Sequence, residues 1–242
     1  TYQEPAYLGS DETVEFIARC AAQCSSEHTQ TCSVAGEPVL PARILDVRHS
    51  KVRLYQPHSA IGRYAALSHC WGKTQRLQLT QESLEDFQEN ISWCQLPEVF
   101  QDAVAVTRRL GIPYLWLDSL CIIQDSKTDW EHESSKMGEY YGNAHLTIAA
   151  SSAGNSSMHF LKDRDATWLP VDFPFQSPKE PGKANIVRVH RLLKRAFDQV
   201  LLPLSSRAWA FQENVLSQRV VHFTSDHVIW ECRGCVEPRE AF

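Results

Sequence analysis

Residues 96–118 narrow the fold more than any other stretch of the chain. Leu96, Val99, Phe100, Ala103, Val104, Thr107 and Leu110 recur at helical spacing, Pro97 suits a first helical turn, and Gly111 supplies a stop. Tyr114-Leu-Trp-Leu-Asp118 then runs almost wholly apolar to a closing acid, the composition of a strand buried on both faces of a parallel sheet. A short apolar run at Tyr64–Ser68 precedes the helix. Strand, helix, strand in this order predicts a right-handed βαβ unit. The fold class expected is therefore α/β, with a mainly parallel, flavodoxin-like sheet flanked by helices.

The remaining elements fit that frame. A helix over 12–24 with Val14, Ile17, Ala18 and Ala21 on one face, then a hairpin over 44–55, make an amino-terminal lead-in. Residues 73–95 are polar with scattered leucines and carry no clear periodicity. A second helix is predicted over 129–142, capped by Thr128 or Asp129, with Trp130, Ser134, Met137 and Tyr141 sharing a face. His145–Ala150 reads as a third strand. Residues 155–203 hold several prolines and one predicted strand at 186–190, and form an insertion before the last core helix. The division expected is a helical lead-in over 1–40 and one domain over 41–242.

Composition removes several classes of function. The net charge of -5 and the absence of any Lys/Arg-rich run leave no footprint for nucleic acid. No apolar stretch approaches the roughly 18 residues that suggest a membrane span. Without a secretory leader, the eight cysteines read as reduced thiols of a cytoplasmic protein. Two groups of them stand out: Cys20, Cys24, His28 and Cys32, spaced by fours, and the CxxC of Cys232 and Cys235. They admit two readings, a zinc site joining the two groups or small hydrophobes on a buried stripe. The second is taken, and no metal is assigned.

Two stretches exceed what packing needs. Ser68-His-Cys-Trp-Gly72 ends the first strand in a crowded polar and aromatic rim, where ligands bind in open α/β sheets. Ser206–Leu216, drawn as a helix, places Trp209, Gln212, Glu213 and Leu216 on one inward face, and Arg219–Phe223 follows as a strand. A glutamate on a packed face is either a partnered structural acid or a functional one. Glu133, near Trp130, is a rival carboxylate, and Asp118 stands at a strand end. His69 and Cys70 are neighbours on a strand and point to opposite faces, which argues against a thiol nucleophile.

Four blocks, YAALSHCWG at 64–72, LPEVFQDAVAVTRRLGIPYLWLDSLCIIQD at 96–125, DWEHESSKMGEYYGNAHLTIAAS at 129–151 and SSRAWAFQENVLSQRVVHF at 205–223, together resemble the HET (heterokaryon incompatibility) domain of filamentous fungi. The resemblance covers about residues 40–235. It implies a role in self/non-self recognition that ends in programmed cell death. HET domains are in turn remotely similar to TIR domains, and the order of elements here follows the TIR order of strands.

On that mapping SSRAWAFQE falls where TIR enzymes carry the glutamate needed to cleave NAD, so the resemblance implies Glu213 as the catalytic carboxylate. Ser68, His69, Cys70, Trp71, Gly72, Asp118, Ser119, Arg207 and Trp209 are the expected substrate-binding residues. There is no glycine-rich dinucleotide fingerprint, so NAD, or a related nucleotide, is expected as a substrate with no cofactor. Assembly into a homo-oligomer on activation and further signalling domains in a longer chain are also expected. The alternative function is a non-enzymatic, self-associating adaptor.

Overall fold

A computed structural model of the chain describes residues 6–32, 37–73, 77–166, 169, 171–176, 184–189 and 202–238. Its centre is a sheet of eight strands: β1 (Ile44–Asp46), β2 (Arg53–Tyr55), β3 (Tyr64–Ser68), β4 (Tyr114–Trp116), β5 (Leu146–Ala149), β8 (Arg219–Phe223), β9 (Val228–Cys232) and β10 (Val236–Pro238). Their spatial order is β10-β9-β8-β5-β3-β4-β1-β2. The four inner strands, β8, β5, β3 and β4, run parallel, and the outer ones are antiparallel. In chain order the parallel strands stand 2-1-3-4, the flavodoxin-like arrangement, so the winding reverses between β3 and β5. The mainly parallel α/β sheet expected from the sequence is the one found.

The apolar runs explain the centre of the sheet. Every residue of β3, β5 and β8 is buried, as parallel strands covered on both faces require. α3 (Glu98–Arg109) covers one face with Val99, Phe100, Ala103, Val104 and Val106. It has Glu98 in its first turn and Arg108 and Arg109 in its last, a placement that complements the helix dipole. Gly111 ends it at φ 65°. A one-turn helix, α4 (Asp118–Cys121), follows β4 directly, so the strand is shorter than its apolar run suggested.

Several helical faces differ from the periodicity reading. α1 (Asp11–Glu27), capped by Ser10, buries Thr13, Phe16, Ile17, Cys20 and Cys24, a face rotated from the one expected. Its residues Phe16, Ile17 and Cys20 belong to the same buried core as β3 and β5. The previously unassigned stretch contains α2 (Leu84–Glu89), which packs on β2. The helix expected over 129–142 is two: α5 (Lys127–Ser135), capped by Ser126, and α6 (Met137–Asn143), separated at Lys136. Glu133, Tyr140 and Tyr141 take the inner positions, while Trp130 faces outward.

The insertion carries a separate antiparallel pair, β6 (Val171–Gln176) and β7 (Ala184–Val189). The strand expected over 186–190 overlaps β7; its last residue, and most of 177–201, lie outside the described residues. α7 (Ala208–Leu216) then leads into β8. At the borders of the sheet, Ile91 N–H donates to the Val52 carbonyl beside β2, and β10 ends on Pro238. Among the described residues no helix is long and apolar enough to cross a membrane.

Candidate functional site

The carboxyl ends of β3 and β5 meet α7 at the point where the sheet reverses its winding, β3 through Glu213 and β5 through Ala210. Glu213 projects from α7 toward β3 and is only 4% exposed. Ser68 Oγ, at the last position of β3, donates to Glu213 Oε2 at 2.5 Å. Tyr141, on α6, donates its hydroxyl proton to the Leu67 carbonyl at 3.1 Å.

A second acid shares the site. Asp118, the first residue of α4, accepts the Trp71 indole N–H at 2.9 Å and the Ser119 backbone N–H at 2.8 Å. Arg207, which precedes α7, donates to the His69 carbonyl and acts electrostatically on both Asp118 and Glu213. Burial pushes the Glu213 carboxyl up to about 7, and the negative charge of Asp118 adds to this against the pull of Ser68 and Arg207. Asp118 keeps part of its surface near solvent, yet the atoms crowded around it push its carboxyl up to about 6. Two acids around a single guanidinium therefore hold on to a proton near neutral pH.

The rim residues divide by strand alternation. Ser68 faces Glu213. The His69 ring is buried edge-on against Phe100 at 5.0 Å, its Nε2 has no hydrogen-bond partner among the described residues, and burial lowers its pKa to about 3. Cys70 packs with Ala149, Leu204, Ala210 and Val220 under α7, and burial pushes its thiol up. A neutral imidazole and a protonated thiol on different sides of the chain do not make a nucleophilic pair. Trp71 closes the rim over Asp118. Gly72, at φ 77°, lets the chain pass Asn155, whose Cβ would stand 2.5 Å from any Cβ added there.

The structure thus brings together Ser68, Trp71, Asp118, Ser119, Arg207 and Glu213. It does not bring Trp209, expected on the inner face of α7, to the carboxylate. α7 buries Ala210 and Glu213, and Trp209 is 59% exposed on the outside. Gln212 is likewise exposed. The rival Glu133 is buried elsewhere, where it accepts the Tyr140 hydroxyl at 2.8 Å.

A cavity of 380 Å³ opens beside Ser68, between α7 and strands β5, β8 and β9. Its polar lining includes Ser151, Asn214, His222 and Glu231, residues that the sequence reading passed over. Ser151 Oγ lies 3.4 Å from His222 Nδ1, and His222 Nε2 lies 2.8 Å from Glu231 Oε2. Hydrogen bonds from His222 and Asn214 hold the Glu231 carboxyl below its ordinary value. Only strand pairing joins these residues; the one sequence signal was two polar side chains at His222 and Glu231 inside apolar strands.

No curated protein and no solved structure matches the chain. The family model described as Heterokaryon incompatibility protein (HET) matches residues 64–213. The span begins on the first residue of β3, ends on Glu213, and takes in the whole rim. Covering well over half of the chain, the match shows that it belongs to the heterokaryon incompatibility (HET) family, whose role is the incompatibility response that leads to cell death.

Proposed function

We propose that this HET domain hydrolyses NAD at the nicotinamide–ribose bond, with Glu213 as the catalytic carboxylate. The observation that carries the reading is Glu213 itself: a buried acid at the reversal point of a parallel sheet, where ligands of such sheets bind, poised near neutral pH by burial and a second acid.

The chemistry asks for little more. When the bond between ribose C1′ and the ring nitrogen breaks, its electron pair leaves with the nicotinamide, which departs neutral from a cationic ring. The leaving group needs no proton, so one carboxylate serves where most glycosidases use two. Positive charge develops on the ribose, and a desolvated carboxylate stabilises it. A water oxygen then bonds to C1′ and its proton passes through Glu213 to solvent, giving ADP-ribose. A bound pyridinium favours the ionised form of Glu213. Ser68 connects the cavity to the carboxylate, Arg207 supplies a cation for a phosphate, and Trp71 offers a flat wall.

The test is nicotinamide release from NAD by the purified chain, with and without a crowding agent, beside Glu213→Ala. Release by the parent and none by the variant is the expected result; release that persists in the variant would sink the assignment. A non-enzymatic self-associating adaptor is the second reading. In its favour stand the exposed apolar side chains of α7, Trp209, Phe211 and Val215, of the kind that mark association sites. Absence of release under every condition would support it.

A further inference from the structure

We propose that Cys24, His28, Cys32 and Cys232 form a structural zinc site that joins the end of α1 to the end of β9. The cysteines read above as buried hydrophobes divide: Cys20 keeps that role in the core, and the others converge. The ligand atoms of Cys24, His28, Cys32 and Cys232 all lie within 4.8 Å of one another. Zinc bound at about 2.3 Å to sulfur and 2.0–2.1 Å to nitrogen sets tetrahedral donors roughly 3.5–3.8 Å apart. The side chains are thus gathered around a space that one ion would close by small inward movements.

The local backbone is built for this convergence. Cys24 lies in the last turns of α1, and His28 is its C-cap, with its N–H on the Cys24 carbonyl at 3.1 Å. Cys32 N–H in turn donates to the His28 carbonyl at 2.8 Å. A spacing of four residues therefore stacks three donors along one side. From the other end of the chain, Cys232 and Cys235 bracket a tight turn in which each backbone N–H meets the other's carbonyl, at 2.8 and 3.2 Å. Cys235 Sγ lies 3.5 Å from Cys232 Sγ. His28 Nδ1 stands 3.3 Å from Cys232 Sγ. A Cβ at Gly234 would fall 2.6 Å from the His28 ring, so only glycine lets this turn approach the imidazole so closely.

Charge supplies an independent argument. Arg219 is buried, and its guanidinium donates to Cys24 Sγ at 3.2 Å and to the Cys32 carbonyl at 2.8 Å. Among the described residues no carboxylate forms an ion pair with it. A buried cation without an acid is costly. Three thiolates and one imidazole around Zn²⁺ carry a net charge of minus one, and Arg219 neutralises it while orienting a ligand sulfur. Soft sulfur donors with one imidazole select zinc over magnesium or calcium, and four protein donors with no open position make a structural site. All four ligands lie outside the span that matches the HET family, three before it and one after.

The experiment is elemental analysis of the full chain purified under reducing conditions without chelator, followed by cobalt substitution. About one zinc per chain, and a cobalt spectrum with intense tetrahedral d–d and thiolate charge-transfer bands, are expected. Cys232→Ser and His28→Ala should lose the metal, while the exposed Cys94→Ser and the neighbouring Cys235→Ser keep it. Should the first two variants fail to fold, alkylation of the parent chain decides: Cys24, Cys32 and Cys232 should react only after a chelator is added, and Cys94 at once. A chain that carries no metal and binds no cobalt would overturn the proposal. So would alkylation that ignores the chelator, a disulfide between Cys232 and Cys235, or loss of zinc in Cys235→Ser.

Discussion

Two arginines, Arg207 half-buried and Arg219 buried, organise two different kinds of polar interior. Arg207, bonded to the His69 carbonyl at the carboxyl end of β3, acts electrostatically on both Asp118 and Glu213, one cation against two acids. Arg219 lies against the sulfur of Cys24 at the far end of the same helix–strand unit, one cation against a set of thiols. In the first, hydroxyls and an indole share out what the arginine cannot neutralise, and a proton stays exchangeable. In the second, the donors are soft and convergent, and by our proposal an ion takes the place of the protons. Both interiors are polar, but the first is built on carboxylates and the second on sulfur.

The largest effect that separates the two regions should come from a chelator. Stripping zinc is expected to lower Tm by about 10 °C or more, measured by thermal melts with and without chelator, and to leave Glu213→Gln no less stable than the parent treated the same way. Next comes Glu213→Ala, expected to reduce nicotinamide release by about 10²–10³-fold with zinc content unchanged; a joint loss of both would mean that the two regions are not independent.

The third effect is a pH dependence. The Glu213 and Asp118 carboxyls hold their protons more tightly in the folded chain, with values raised from 4.5 to about 7 and from 3.8 to about 6. The folded state therefore binds more protons than the unfolded one between about pH 4 and 7, and stability falls as pH rises through that window. The Glu213 share is on the order of 3 kcal/mol. Denaturant titrations at several pH values should show this slope reduced in Glu213→Gln. Catalysis, which needs the carboxylate, should rise over the same range.

Smaller again is Gly72→Ala. It forces a side chain into φ 77° and against Asn155, and should cost about 1–3 kcal/mol in equilibrium unfolding. Least of all, Trp209→Ala should change stability by under about 0.5 kcal/mol. A sedimentation or light-scattering change in that variant would connect the outer side of α7 to self-association.

What was legible beforehand followed the physics of burial. β3, β4, β5 and β8 could be read because strands covered on both faces are mostly apolar or β-branched runs, and their order placed Ser68 and Glu213 at one end of the sheet. The face of α7 was read with partial success. Over nine residues a helix makes only two and a half turns, and the apolar Trp209 looked as inward as Ala210 does in fact. The break at Lys136 has no proline or glycine at its own position to announce it. Ser151, His222 and Glu231 meet only through strand pairing, and His28 meets Cys232 across a separation of 204 residues. Neither juxtaposition has a local signature.

The outermost strands also limit how such a domain can meet its copies. At one border the Val52 carbonyl is already taken by Ile91; at the other, Pro238 brings no N–H to a ladder. Each is a local obstacle to annealing by a passing strand. A domain whose output is the death of its own cell is poorly served by an edge that templates its own growth.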